Sequence, residues 1–368
     1  MPPENFEALV ANLTAVFAAE GLLIVTESSM PAQRPGLRIV ATPPGPSGWS
    51  LTAVDFMHVW QLAQEHNARA ILMLGQGADS LGPGALRLLA NGALSGSVDL
   101  AMPRYTLPPY AGMINSAILY PLTRALFAQR VRFPLAIDLG LSPRMAERLT
   151  AAAQHFAQPD TPEALLWPAN EAAVAGFAID EFEVGARTLP QPAETDINAI
   201  LARVTGSLFA DIEMKAAYWQ RARRLSPPRR TATDLPSADG TADVSRMVES
   251  FRFAYENLLE IWSLVLPPHS LLGLKRLSQL SAAEFRMPDN LWARIVYDFL
   301  IAFRLRTINR GHLLGALIPL YLGWVAGHIN LTAAGSGAES HIEAVAAAFE
   351  ADKPYVVSRW RWPDRFNA

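Results

Sequence analysis

The chain has 368 residues, of which 51% are hydrophobic and 18% charged, with a net charge of −3 and no cysteine. That length and apolar content are enough for two domains of ordinary size with large cores, and the lack of cysteine excludes disulfides, thiolate metal sites and thiol nucleophiles. The slightly acidic balance supplies no global positive field for nucleic acid or an anionic membrane, so no nucleic-acid partner is expected.

In chain order, residues 4–20 form an amphipathic helix, with Phe6, Leu9, Val10, Leu13, Val16 and Phe17 at helical spacing. Leu22–Thr26 and Gly36–Ala41 read as short strands, and a Pro/Gly loop over residues 42–50 leads to a helix over Leu51–His66. Ala70–Leu74 is a buried strand, Pro83–Asn91 a short helix and Val98–Met102 a further strand. Short apolar strands alternating with helices predict an α/β domain with a mainly parallel sheet. A helix over Ile114–Phe127 follows, then one over Pro143–Phe156 with Ser142 as N-cap, an extended run over Gly176–Leu189 and a helix over 196–224.

Residues 225–243, rich in Pro, Ser, Thr, Asp and Gly, read as a linker or exposed loop between domains 1–224 and 244–368. The second domain reads as helical: Val244–Leu266, Ser281–Phe285, Asn290–Asn309 capped by Asp289, Leu313–Asn330 and His341–Glu350. Leu313–Ile329 lacks charged residues but is short for a span and holds Pro319 and three glycines. It reads as a buried core helix, and no transmembrane span is expected. The acidic N-terminus has no basic n-region, so a cytoplasmic location is expected.

Three stretches carry a resemblance. They are PRY (103–105) with YPLTRAL (120–126), RVRFP with IDLGLS (130–142), and MPDNLWARIVYDFLIAFRLRTINRGHLLGALIPLYLGW (287–324), followed by the tail SRWRWPDRFN (358–367). In this order they resemble the GT-A-type glycosyltransferases related to mannosylglycerate and glucosyl-3-phosphoglycerate synthases. The resemblance implies a GT-A-like α/β domain with a helical C-terminal domain. It also implies transfer of a sugar from a nucleotide donor to a small polar acceptor, with Mg²⁺ or Mn²⁺ held by an Asp-x-Asp motif.

The chain departs from that pattern where the chemistry would sit. After the strand at 70–74, the metal acids fall on Gly75, Gln76 and Gly77, leaving Asp79 as the nearby remnant ligand. The acceptor motif becomes Ala136, Ile137, Asp138, Leu139 and Gly140. The Asp of a later family segment falls near Leu165, and the late metal-ligand histidine falls in GARTLPQP, which has none.

The candidate residues each have two readings. Asp138 is a substrate-hydroxyl acceptor or base, or a turn residue ahead of Ser142. Arg104 and Tyr105 follow a strand end, where open α/β sheets bind ligands; alternatively Arg104 is an ordinary surface arginine. Tyr110 stacks on a base or sugar, or packs in the core. Arg132 is a phosphate or carboxylate ligand, whereas Arg124 reads as structural, paired with an acid of the second domain. Glu171 reads as a helix-surface glutamate, His312 and His328 as satisfied core histidines, and the Arg/Trp tail as docked on the body.

Three functions follow. The first is a glycosyltransferase-like protein with a degenerate donor and metal site, non-catalytic or rewired. The second is an active divergent transferase using a nucleotide sugar, a small acceptor and a divalent metal. The third is an interaction subunit using the helical half toward a protein partner or a second copy.

Overall fold

The computed structural model describes residues 3–27, 36–42, 48–108, 110–156, 164–190, 197–222 and 243–363. In chain order the elements are α1 (Pro3–Thr14), β1 (Leu23–Glu27), β2 (Arg38–Thr42), α2 (Ala53–Glu65), β3 (Ile71–Met73), α3 (Pro83–Leu94) and β4 (Leu100–Thr106). A π-turn over Asn115–Leu119 leads into α4 (Tyr120–Phe127), followed by β5 (Leu139–Leu141), α5 (Pro143–Phe156), α6 (Pro168–Ala175) and β6 (Ile179–Ala186). The rest is helical: α7 (Ile197–Met214), α8 (Ala216–Trp219), α9 (Val244–Ser263), α10 (Pro268–Ser278), α11 (Asp289–Leu305), α12 (Arg310–Ala333) and α13 (Ala338–Arg361).

The chain divides into two compact units, Met1–Leu107 with Val131–Ala193, and Pro108–Arg130 with Glu194–Ala368. This differs from the expected cut at 225–243, most of which lies outside the described residues. Side chains explain the difference. Arg124 on α4 donates to Glu343 at 2.6 Å and Glu350 at 2.9 Å, both on α13. On α7, Glu213 pairs with Arg310 at 2.7 Å. Helices α4 and α7 therefore belong to the helical unit.

The α/β unit contains a parallel pair β1–β2 and a four-stranded sheet of order β3-β5-β4-β6. Strand β5 runs antiparallel to both β3 and β4, while β4 and β6 are parallel. The sheet is thus mixed, which corrects the expectation of a mainly parallel one. Periodicity alone could not show this, because a buried three-residue strand reads the same in either direction. Gly140 lets β5 pass beneath α3: a Cβ there would lie 2.0 Å from the Leu89 carbonyl oxygen. Helix α2 opens with a capping box, in which the Thr52 amide donates to Asp55 at 2.7 Å. Ser142 caps α5 as expected, accepting from the Met145 amide at 3.3 Å.

The helical unit is built round buried aromatics, among them Trp219, Trp262, Trp292, Trp324, Phe251 and Phe299. Two of these tryptophans also donate to backbone carbonyls, one of them left over by a proline. Pro121 has no amide to offer Ala117, whose oxygen accepts from Trp292 Nε1 at 2.8 Å. In α12, which contains Pro319, the Ala316 oxygen accepts from Trp262 Nε1 at 2.9 Å. Helix α12 has the length and composition to cross a membrane, but 72% of its apolar window is buried inside the protein. The expected helix over His341–Glu350 is the middle of α13, which absorbs the start of the tail: Trp360 is buried and Arg359 bonds Asp298. Residues 364–368 lie outside the described set. Asp289 does not cap α11 with its side chain; it meets His341 Nε2 at 3.0 Å instead.

Candidate functional site

Strands β3, β4 and β6 point the same way, and their carboxyl ends share one edge of the sheet. Open α/β sheets bind ligands at that edge. The antiparallel β5 brings its own beginning there, which sets Asp138 beside the last residues of β3. On β4, Tyr105 faces Asp138, and Arg187 follows the end of β6. Three chain segments distant in sequence thus converge on one carboxylate.

The carboxylate is saturated. Its Oδ1 accepts from the Gly75 amide at 3.0 Å and from Arg187 Nη2 at 3.2 Å. Its Oδ2 accepts from the Tyr105 hydroxyl at 2.8 Å and from Arg187 Nε at 3.0 Å. Two oxygens offer about four lone-pair sites, and four donors fill them. Both ionic side chains are 0% exposed. The remaining guanidinium N–H groups go to backbone and a hydroxyl: Nη2 to the Gln76 oxygen at 2.9 Å, and Nη1 to the Thr188 oxygen at 3.3 Å and Ser80 Oγ at 3.5 Å. Gly75 permits the close approach, since a Cβ there would meet Ile137 Cδ1 at 2.5 Å. Gly77 adopts a left-handed φ of 80°, and a Cβ would lie 2.8 Å from Arg187 Nη1. Burial, then the charge of Asp138, holds the Tyr105 hydroxyl well above its usual pKa, so it stays a neutral donor.

This arrangement is a finished ion pair rather than an acid poised for substrate. A general base needs a lone pair aimed at the proton it takes, and in this arrangement each one on Asp138 is engaged. Arg187 was not apparent as a site residue in the sequence. Its one signal is position: it lies in GARTLPQP, the segment on which the resemblance places a metal-ligand histidine.

The other expected site residues are distributed as follows. Arg104 points to the opposite face of β4 from Tyr105 and pairs with Glu181 of β6 at 3.4 Å. Glu181 also accepts from the Arg132 amide at 2.5 Å, and burial raises its carboxyl above the usual range against these donors. The Arg132 guanidinium rests over Phe133, 4.9 Å from the ring centroid, and is itself buried. Asp79 lies in a 3-10 turn over Ala78–Ser80, and its buried Oδ1 has no hydrogen-bond partner among the described residues. No group of three or more His, Asp or Glu suited to a metal ion occurs among the described residues.

Tyr110 belongs to the helical unit, where its hydroxyl lies 3.4 Å from Thr332 Oγ1 and its ring meets His328 edge-on. Glu171 is buried and tied to Arg148 at 3.0 Å, which corrects its reading as a surface residue. His312 is exposed near the start of α12, not a core histidine. His328 is buried, and its Nδ1 lies 2.7 Å from that of His341, stacked against Trp324. These two histidines are thirteen positions apart on different helices, so no local spacing revealed them. Compared with protein-family models and with curated protein sequences, the chain matches none.

Proposed function

We propose that this chain is a glycosyltransferase-like protein of the GT-A type whose donor and metal site is closed by an internal ion pair, leaving a non-catalytic scaffold. The observation that carries this reading is the Asp138–Arg187 pair, buried at the carboxyl edge of the sheet and satisfied on every acceptor position. The guanidinium bonds the backbone of Gly75 and Gln76, the segment in which the resemblance places the metal acids. It thus puts a fixed positive charge beside the residues that would have held a divalent cation. A cation added there would meet like charge, and Asp79 alone would face it.

A scaffold of this kind acts through what it binds. Exposed apolar side chains on α9, α10 and the turn joining them, led by Phe253 at 70% exposure with Leu259, Leu264 and Leu272, favour a protein partner or a second copy at the helical unit. The test is a thermal-shift screen of UDP-, GDP- and ADP-sugars, each with and without Mn²⁺. A ligand at about 100 times its dissociation constant adds about 2.7 kcal/mol, a shift of several degrees for this size. The reading predicts no metal-dependent shift with any of them. A metal-dependent rise with one nucleotide would overturn it in favour of an active transferase.

A further inference from the structure

Helices α9 and α10 carry opposite charge on their exposed faces. The Arg252 guanidinium on α9 donates to the Ser278 oxygen at 3.3 Å and to the Leu280 oxygen, at the far end of α10. Residues 264–267 join the two helices at the near end. The pair is therefore an antiparallel hairpin, with Glu256 level with Lys275 and Glu260 level with Leu272. On α9 the exposed Glu249, Phe253, Glu256 and Glu260 lie three or four positions apart and share one stripe. On α10 the exposed Leu272, Lys275 and Arg276 do the same, and that helix contains no acid. Arg246 of α9 is also exposed, but it lies two turns beyond the end of α10.

A hairpin that is acidic along one helix and basic along the other complements itself. Turned by half a revolution about an axis along the hairpin, a second copy lays its α9 on the first copy's α10 and its α10 on the first copy's α9. Both contacts then set acid against base, and the contact closes as a two-fold pair. An axis across the hairpin would set acid against acid, which like-charge repulsion disfavours. Within the charged stripes, Phe253 at 70% exposure and Leu272 at 47% supply apolar anchors. At 1.5 Å per residue and about 10 Å in width, helices of 20 and 11 residues offer about 450 Å² per copy. About 900 Å² in all suits a weak, reversible contact.

We propose that the α9–α10 hairpin is the contact of a weak two-fold dimer of this chain, acidic stripe on basic stripe. This deepens the reading of the helical unit as an interaction surface by committing it to a second copy. The test is sedimentation velocity of the full chain over a concentration series, with melting curves to confirm that each variant folds. The wild-type protein should pass from monomer to dimer below about 0.5 mM, and raising salt from about 50 to about 500 mM should weaken the dimer at least about threefold. Lys275→Glu with Arg276→Glu should weaken self-association at least about tenfold, and Glu256→Lys with Glu260→Lys should do the same. Mixed in equal amounts, these two variants should recover a dimer, because each meets opposite charge on the other. Should a charge variant not fold, Phe253→Ser at its exposed position should weaken the dimer at least about fivefold. The proposal is overturned by a wild-type protein that stays monomeric at about 0.5 mM, by a dimer that the folded variants leave unweakened, or by two reversed variants that do not combine. The nucleotide-sugar screen reads the other unit, so a monomer here sinks the dimer and leaves the closed-site reading standing.

Discussion

Replacing Arg187 by methionine removes the one cation bonded to Asp138 among the described residues. The side chains are both 0% exposed, so no solvent screening reduces the effect. The carboxylate would keep its bonds from Tyr105 and the Gly75 amide but lose those from Nε and Nη2. The backbone oxygens of Gln76 and Thr188 would lose donors as well. Breaking a buried pair on one side costs about 3–5 kcal/mol, a fall of roughly 6–20 °C in melting temperature for a unit of this size. The assay is calorimetry together with hydrogen exchange over residues 71–77, where the Gly75 amide reports the bond to Asp138. Removing both partners, in Asp138→Leu with Arg187→Met, should recover about 2 kcal/mol of the summed single costs, as coupled neighbours do. A loss below about 1 kcal/mol in the single variant, with exchange over 71–77 unchanged, would refute the reasoning, because the pair would then be loose and solvated.

Three further outcomes are expected. Gly140→Ala should cost about 3 kcal/mol or more in urea unfolding, since its Cβ would overlap the Leu89 carbonyl oxygen at 2.0 Å; near-wild-type stability would mean that α3 moves aside. Arg124→Lys should lose about 2 kcal/mol or more, because one ammonium cannot serve Glu343 and Glu350 with the geometry of a guanidinium, and an unchanged unfolding midpoint would contradict this. The raised Asp298 carboxyl makes the native state bind a proton that the unfolded chain has released. Its penalty is therefore absent below about pH 4 and grows to about 4 kcal/mol as pH rises through about 7. Asp298→Asn should gain stability relative to wild type at pH 8 compared with pH 5, and an equal gap at both would contradict the assignment.

Much of the fold was legible because its signals are local. Helices α2, α5 and α12 follow from apolar spacing, caps and prolines, and strands β3 and β4 from short β-rich runs. The direction of β5 was not legible, since a Leu-Gly-Leu strand carries no mark of which neighbour it pairs with or in what sense. The unit boundary was missed for a related reason. It depends on α4 meeting α13 through Arg124 and Glu343, residues more than 200 positions apart. At the candidate site, Asp138 and Tyr105 were visible as residue types at a strand end. What they do was set by Arg187, whose arrival depends on the register of β6 beside β4. Sequence spacing shows which groups are present, whereas the number of lone pairs still open is a three-dimensional quantity.

The most direct measurement follows the Arg187 Nε–H itself in protein labelled with ¹⁵N-arginine. In the closed site this proton is bonded to Asp138 and shielded from solvent. The account predicts a resolved, slowly exchanging signal that keeps its line width when Mn²⁺ and nucleotide sugars are added. Paramagnetic broadening of that signal, or its loss to rapid exchange, would place a metal or water at the carboxyl edge of the sheet and contradict the claim that the ion pair closes it.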